Sequence, residues 1–271
     1  MGIIFYSSSF IMLSIDQPFW KVQDTMSTQH TGTALITGAS RGIGAAIARR
    51  LSKDGFAVVV NYAANAGEAD KLVAELVQAG GRAMAVQADV SKVEDVRRLF
   101  DTVESQWGKI DVLVNNAGIL KTMPLAQTPD EVFTQTLNIN VTGVFNTLRE
   151  ATTRLNDGGR IINLSSTTLA LNLPGYAVYN ATKAAVEAFS RVLVKELRGR
   201  RITVNCVAPG PVATELFLNG KTEEQIQTFS KMPPLERLGQ PDDIAGVVAF
   251  LAGPDGAWVN GQVLRANGGL A

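Results

Sequence analysis

The chain of 271 residues holds one cysteine, Cys206, and one histidine, His30. A lone cysteine excludes an intrachain disulfide and a cysteine-rich zinc centre. A lone histidine near the N-terminus leaves a Ser-His-Asp hydrolase or a multi-histidine site without its usual parts, so no metal is expected. Excess charge of either sign is also lacking, with 25 Lys and Arg against 25 Asp and Glu. Affinity for nucleic acid rests largely on excess basic charge, so nucleic acid is not an expected partner. Long apolar runs are missing too. Residues 2–13 are apolar but broken by Ser7, Ser8 and Ser9, and fall short of the roughly 20 residues that cross a bilayer. The first cation is Lys21, so the basic start of a secretory signal is absent. A cytoplasmic protein without membrane contact is the expectation. What is left for chemistry is Ser, Tyr, Lys, Asn, carboxylates or a bound organic cofactor.

Apolar residues make up 46% of the chain and charged residues 18%, a composition that buries a sizeable core in one large domain. Residues 1–30 read as an N-terminal extension, poorly ordered, ahead of a folded body at 31–271. From residue 33 short apolar runs alternate with helical patterns. Strands are expected at 34–36, 57–60, 83–87, 111–114, 160–164, 202–207 and 262–265. Helices are expected at 42–53, 67–79, 93–107, 129–155, 178–197 and 242–252, with a loosely helical 215–231. Continuous apolar strands between helices predict a doubly wound, seven-stranded parallel sheet, a Rossmann-like α/β fold in a single domain. Ligands of such sheets bind outside the carboxyl ends of the strands.

Thr37-Gly38-Ala39-Ser40-Arg41-Gly42-Ile43-Gly44 joins the first strand to the first helix. Glycines there permit a tight turn, a close approach of backbone to ligand, and close packing of the helix, whose N-terminus suits a diphosphate. The second strand ends in Asn61-Tyr62, where an NAD-selective site would carry a carboxylate, and Arg41 can pair with a 2′-phosphate. These residues favour NADP over NAD. Further on, Tyr179 and Lys183 are four apart and share a helical face. An ammonium beside a phenol favours the phenolate, which makes the two a proton-transfer pair. Ser166, just past the fifth strand, can hold a substrate carbonyl.

In this order the motifs make the sequence resemble the short-chain dehydrogenases/reductases of the compact, single-domain type. TGASRGIG at 37–44, NNAG at 115–118, Ser166, Tyr179-x-x-x-Lys183 and Pro209-Gly210 match the family's motifs, and Asn140 matches its catalytic asparagine. The match runs from about Thr33 to Ala271. The resemblance implies hydride exchange between a nicotinamide and a carbonyl or alcohol carbon, with NADPH as cofactor. Tyr179 would be the general acid, Ser166 would hold the carbonyl oxygen, and Lys183 would lower the phenol's pKa and bind the ribose. Asn140 would hold a water that links Lys183 to solvent. Cofactor contacts would come from Gly38, Ser40, Arg41, Gly42, Ile43 and Gly44, and from Asn61 and Tyr62. Asp89 and Val90 would meet adenine, and Asn116, Ala117 and Gly118 would line the groove. Pro209, Gly210, Val212 and Thr214 would complete it, the last two at the carboxamide.

Leu169, Leu171, Leu173, Leu216, Phe217 and Met232 are expected to wall an apolar substrate site, suited to an aldehyde, a ketone or a 3-oxoacyl chain. The family commonly pairs its long helices, so a homotetramer is expected. Two other readings stand beside this one. One is an NAD-dependent dehydrogenase of a sugar or steroid alcohol on the same fold. The other is a sensor that binds NADPH without turnover.

Overall fold

A computed structural model of the protein describes residues 32–271. The expectation for residues 1–30 lies outside the described residues. Seven strands form one sheet: β1 (Gly32–Ile36), β2 (Phe56–Tyr62), β3 (Ala83–Gln87), β4 (Ile110–Asn115), β5 (Leu155–Leu164), β6 (Thr203–Pro209) and β7 (Val263–Ala266). Their order is β3-β2-β1-β4-β5-β6-β7, and every pairing is parallel. This is the doubly wound α/β fold expected.

Side chains alternate across the sheet, so each inner strand feeds two cores. Ala34, Ile36, Val58, Val60, Val112 and Val114 face one layer, which contains α1 (Gly42–Lys53), α2 (Ala66–Gln78) and α10 (Pro241–Ala252). Leu35, Val59, Leu113, Ile161 and Val204 face the other, which contains α3 (Val93–Trp107), α5 (Gly143–Arg154) and α7 (Ala177–Glu196). Among the described residues no helix is long and apolar enough to cross a membrane.

Three elements differ from the expectation. The single helix foreseen at 129–155 is α4 (Asp130–Leu137), a π-turn (Asn138–Thr142) and then α5. Gly143 follows the π-turn because a Cβ there would stand 2.7 Å from Val90 Cγ2. β5 begins at Leu155, paired with Ile110, before an irregular stretch restores the ladder at Arg160. The loose helix foreseen at 215–231 is two helices, α8 (Glu215–Leu218) and α9 (Glu223–Lys231). Thr222 starts α9 with a capping box to Gln225. A further short helix, α6 (Thr168–Leu171), follows β5.

Candidate active site

Strand order reverses between β1 and β4, and a cleft opens there at the carboxyl edge of the sheet. It has two halves that share Ile43, Asn116, Gly118, Ile119, Thr214 and Leu216 as common walls.

The first half is a groove beneath the glycine loop. Gly38, Ser40, Arg41, Gly42, Ile43, Gly44, Asn61, Tyr62, Asp89, Val90, Asn116, Ala117, Gly118 and Thr214 all line it. No side chain caps the N-terminus of α1, so its first-turn N–H groups are left for a ligand. Gly42 has φ +56, and a Cβ there would meet nothing nearer than Thr214 Cγ2 at 3.5 Å, so backbone lies open to the groove. Gly44 is tight instead. A Cβ there would stand 2.5 Å from Asn116 Nδ2 and 2.6 Å from the Gly38 carbonyl. Uncapped N–H groups and bare loop backbone fit a dinucleotide diphosphate.

Several of the polar residues expected to bind cofactor are engaged with protein. Asn61 is 1% exposed. Its Oδ1 accepts from Gly38 N at 3.2 Å, and its Nδ2 donates to the Val86 and Ala88 carbonyls. It holds the glycine loop to the ends of β2 and β3, and its amide has little left for a ligand. Asn116 Nδ2 donates to the Thr37 and Gly38 carbonyls, holding the same loop from β4. Asp89 Oδ1 accepts from Ser91 N and Ser91 Oγ, closing the turn before α3. Arg41 is paired with Glu215 Oε2 at 2.7 Å, both side chains exposed.

The second half holds the chemistry. Ser166, Tyr179 and Lys183 line it, with Pro209, Gly210 and Val212. Ser166 sits past the end of β5, while Tyr179 and Lys183 lie one turn apart on α7. Ser166 Oγ accepts from Thr168 Oγ1 at 2.9 Å and from Thr168 N at 3.3 Å, so its proton is the part left to offer. Lys183 is 6% exposed and donates to the Leu164 carbonyl at 2.7 Å, which leaves two N–H donors. Its Nζ stands 5.6 Å from the Tyr179 ring centroid.

Burial dominates the electrostatics of this half. Lys183 was expected to lower the Tyr179 pKa. Burial pushes the phenol up to about 12, against the pull of the Ser166 hydroxyl and with a smaller push from Tyr176. Burial also pushes the Lys183 ammonium down to about 8. Desolvation of each charged form is the largest cause of both shifts.

Asn140 lies on the π-turn, beside Gly118 of the cleft wall. It is fully buried and lines neither half of the cleft. Its Oδ1 accepts from Ile119 N at 2.8 Å, and its Nδ2 donates to the Ile119 carbonyl at 2.9 Å and to Thr182 Oγ1 at 3.2 Å. Those bonds fasten the cleft wall at Ile119 to α7. Of the expected apolar wall, Leu171, Leu173, Leu216 and Phe217 line the cleft, while Leu169 and Met232 do not. Leu120, Tyr176 and Leu270 are among the wall residues that escaped the sequence reading. Tyr176 carried a signal, three positions before Tyr179. The others arrive from distant segments and carried none. Among the described residues no group of His, Cys, Asp and Glu is placed to hold a metal ion.

A family model described as Enoyl-(Acyl carrier protein) reductase matches residues 38–271. A Short-chain type dehydrogenase/reductase of Picea abies is 46% identical over 247 residues, covering 87% of this chain and 91% of that one. An NADPH-dependent aldehyde reductase-like protein, chloroplastic, of Arabidopsis thaliana is 43% identical over 250 residues, covering 87% and 93%. Among solved structures, a short chain dehydrogenase from Burkholderia cenocepacia J2315 in complex with NADP is similar, with TM-score 0.83 and 38% identity. That alignment covers 88% of this chain and 97% of that one.

Proposed function

The chain belongs to the short-chain dehydrogenase/reductase family of oxidoreductases, and on that premise we propose that it uses NADPH to reduce an aldehyde, ketone or 3-oxoacyl carbonyl, with Tyr179 as general acid. The observation that carries this reading is the meeting of Ser166, Tyr179 and Lys183 on one wall of a cleft continuous with the glycine-loop groove. NADPH is favoured by Arg41 and by the missing carboxylate at Asn61-Tyr62. The NADP in the Burkholderia complex and the name of the Arabidopsis relative point the same way.

When bound, the reduced nicotinamide supplies the hydride that goes to the carbonyl carbon. Ser166 donates its free O–H to the carbonyl oxygen and orients it. Tyr179 gives its phenolic proton to that oxygen, which becomes the product hydroxyl. A phenol titrating at about 12 is fully protonated at neutral pH, as the acid in a reduction must be. Its phenolate then regains a proton downhill from the stronger acid nearby, the Lys183 ammonium. The N–H donors that Lys183 keeps after bonding Leu164 suit the ribose hydroxyls. Thr214 and Val212 suit the carboxamide, since they line the half of the cleft where the catalytic side chains stand.

The test is loss of NADPH absorbance over a panel of aldehydes, diketones, 3-oxoacyl thioesters and quinones, with NADH in parallel. Tyr179→Phe removes the transferable proton and should cut turnover by ~10²–10⁴ with the fold intact. Activity near wild type in that variant would remove Tyr179 from its role, and a preference for NADH would reverse the cofactor reading.

The assembly we infer is a homotetramer built through the outer faces of α5 and α7. Phe145 is 43% exposed and Val192 57%, and Phe145 meets Phe189 across the two helices at 6.4 Å. Apolar side chains of this size gathered on adjoining helices suit a second copy of the chain.

A further inference from the structure

Tyr176 is buried, at 8% exposure, at the start of α7 on the wall of the catalytic half of the cleft. Its ring stands edge-on to that of Tyr179, with centroids 6.3 Å apart. Its backbone is satisfied, since its N–H donates to the Leu173 carbonyl and its carbonyl accepts from Asn180 N. Its hydroxyl has no hydrogen-bond partner among the described residues. Nor is that hydroxyl sealed in the interior, where the side-chain atoms left without partners are Arg160 Nε and Asn180 Oδ1. A buried tyrosine hydroxyl normally finds a partner, because leaving it unpaired forfeits a hydrogen bond it would have in water. Here the open direction is the cleft.

The rest of that wall limits what can approach. Leu120, Leu171, Leu173, Leu216, Phe217 and Phe229 are apolar. Lys183 is the one charged side chain on this half, among the described residues, and it is already bonded to Leu164. A carboxylate or phosphate on the substrate would be desolvated here with the Lys183 ammonium as its one counter-charge among the described residues. A neutral oxygen would find an unpartnered donor at the Tyr176 hydroxyl. Two phenols one helical turn apart, with rings 6.3 Å from each other, can address two oxygens of a single small molecule.

We propose that Tyr176 is a substrate-positioning residue whose hydroxyl bonds a second oxygen of the substrate. The cleft then selects uncharged, apolar carbonyl compounds with a further oxygen function beside the reacting one: diketones, hydroxyketones and quinones. This rests on the cleft being a site of carbonyl reduction. Burial keeps the Tyr176 phenol neutral and so able to donate.

The experiment compares wild type with Tyr176→Phe on benzil and on deoxybenzoin, its analogue with one carbonyl removed. Two quantities are read: kcat/KM with NADPH, and the calorimetric Kd for each compound on protein loaded with NADP⁺, where no reduction can occur. Thermal midpoints confirm that the ring swap keeps the fold. In the variant both values for benzil should worsen about tenfold, the size of one hydrogen bond, with deoxybenzoin changed by less than about twofold. Equal losses on both compounds, no loss on either, or failure of both to bind wild type would overturn the assignment. If neither compound is reduced yet benzil binding still weakens selectively, the reductase reading fails and the role of Tyr176 stands.

Discussion

Lys183 and Tyr179 are both shifted by burial, in opposite directions, and the cleft's pH dependence follows from that. Up to about 12 the phenol keeps its proton. The ammonium loses its proton first, as pH rises through about 8. The kcat for carbonyl reduction should therefore fall on the alkaline side with a midpoint near pH 8, measured as a pH–rate profile. A limb that first appears above pH 10 would show that the ammonium does not govern the rate. Stability carries the same signature with a definite sign. Lys183 titrates in the folded protein below the ordinary lysine value of 10.5, so folding favours the neutral amine. Its stability contribution is full above about 10.5 and is lost as pH falls through about 8. Lys183→Met should gain thermal stability relative to wild type over that fall and keep the gain below it.

The turn from β1 into α1 is where sequence and packing bind each other most closely. Thr37 and Gly38 are held by Asn61 from one side and Asn116 from the other. Gly44 sits between these supports, and the atoms a Cβ would strike include backbone at Gly38 and the Asn116 amide that holds the loop. Gly44→Ala must therefore push the loop away from β4 or break the Asn116 bonds. Calorimetric titration should show NADPH binding weakened by at least about tenfold, the order of one lost hydrogen bond, with secondary structure retained. An unchanged Kd would mean that the loop yields without cost to the groove. The π-turn at 138–142 plays the matching part on the far side of the cleft, since it carries the asparagine that fastens Ile119 to α7.

At the scale of the molecule, the two cores on either side of the sheet leave the outer surfaces of α5 and α7 partly apolar. Light scattering at working concentration should give a mass about four times the chain's 28.9 kDa. Phe145→Asp, which places a charge in that face, should shift the population toward smaller species. A wild-type mass near 28.9 kDa would contradict the assembly. Because α7 carries Tyr179 and Lys183 as well as Val192, with Tyr176 as its N-cap, assembly through that helix would also stiffen the catalytic wall.

The order of strands and helices, the glycine loop and the Ser166, Tyr179 and Lys183 set were legible in the sequence alone. Each rests on local rules: apolar runs that suit a buried parallel strand, glycines where backbone must bend or stand bare, and a spacing of four on a helix. The break in the 129–155 helix was not legible, because a π-turn obeys the same residue preferences as the helix around it. Tertiary structure alone decided that Asn61 and Asn140 spend their amides on protein, that Phe229 and Leu270 join the wall, and that Tyr176 keeps a free hydroxyl there. It also set the direction in which the phenol is shifted. The spacing of Tyr179 and Lys183 names two neighbours, but whether an ammonium stabilises a phenolate depends on how much water both have lost, and that is a property of the folded cleft.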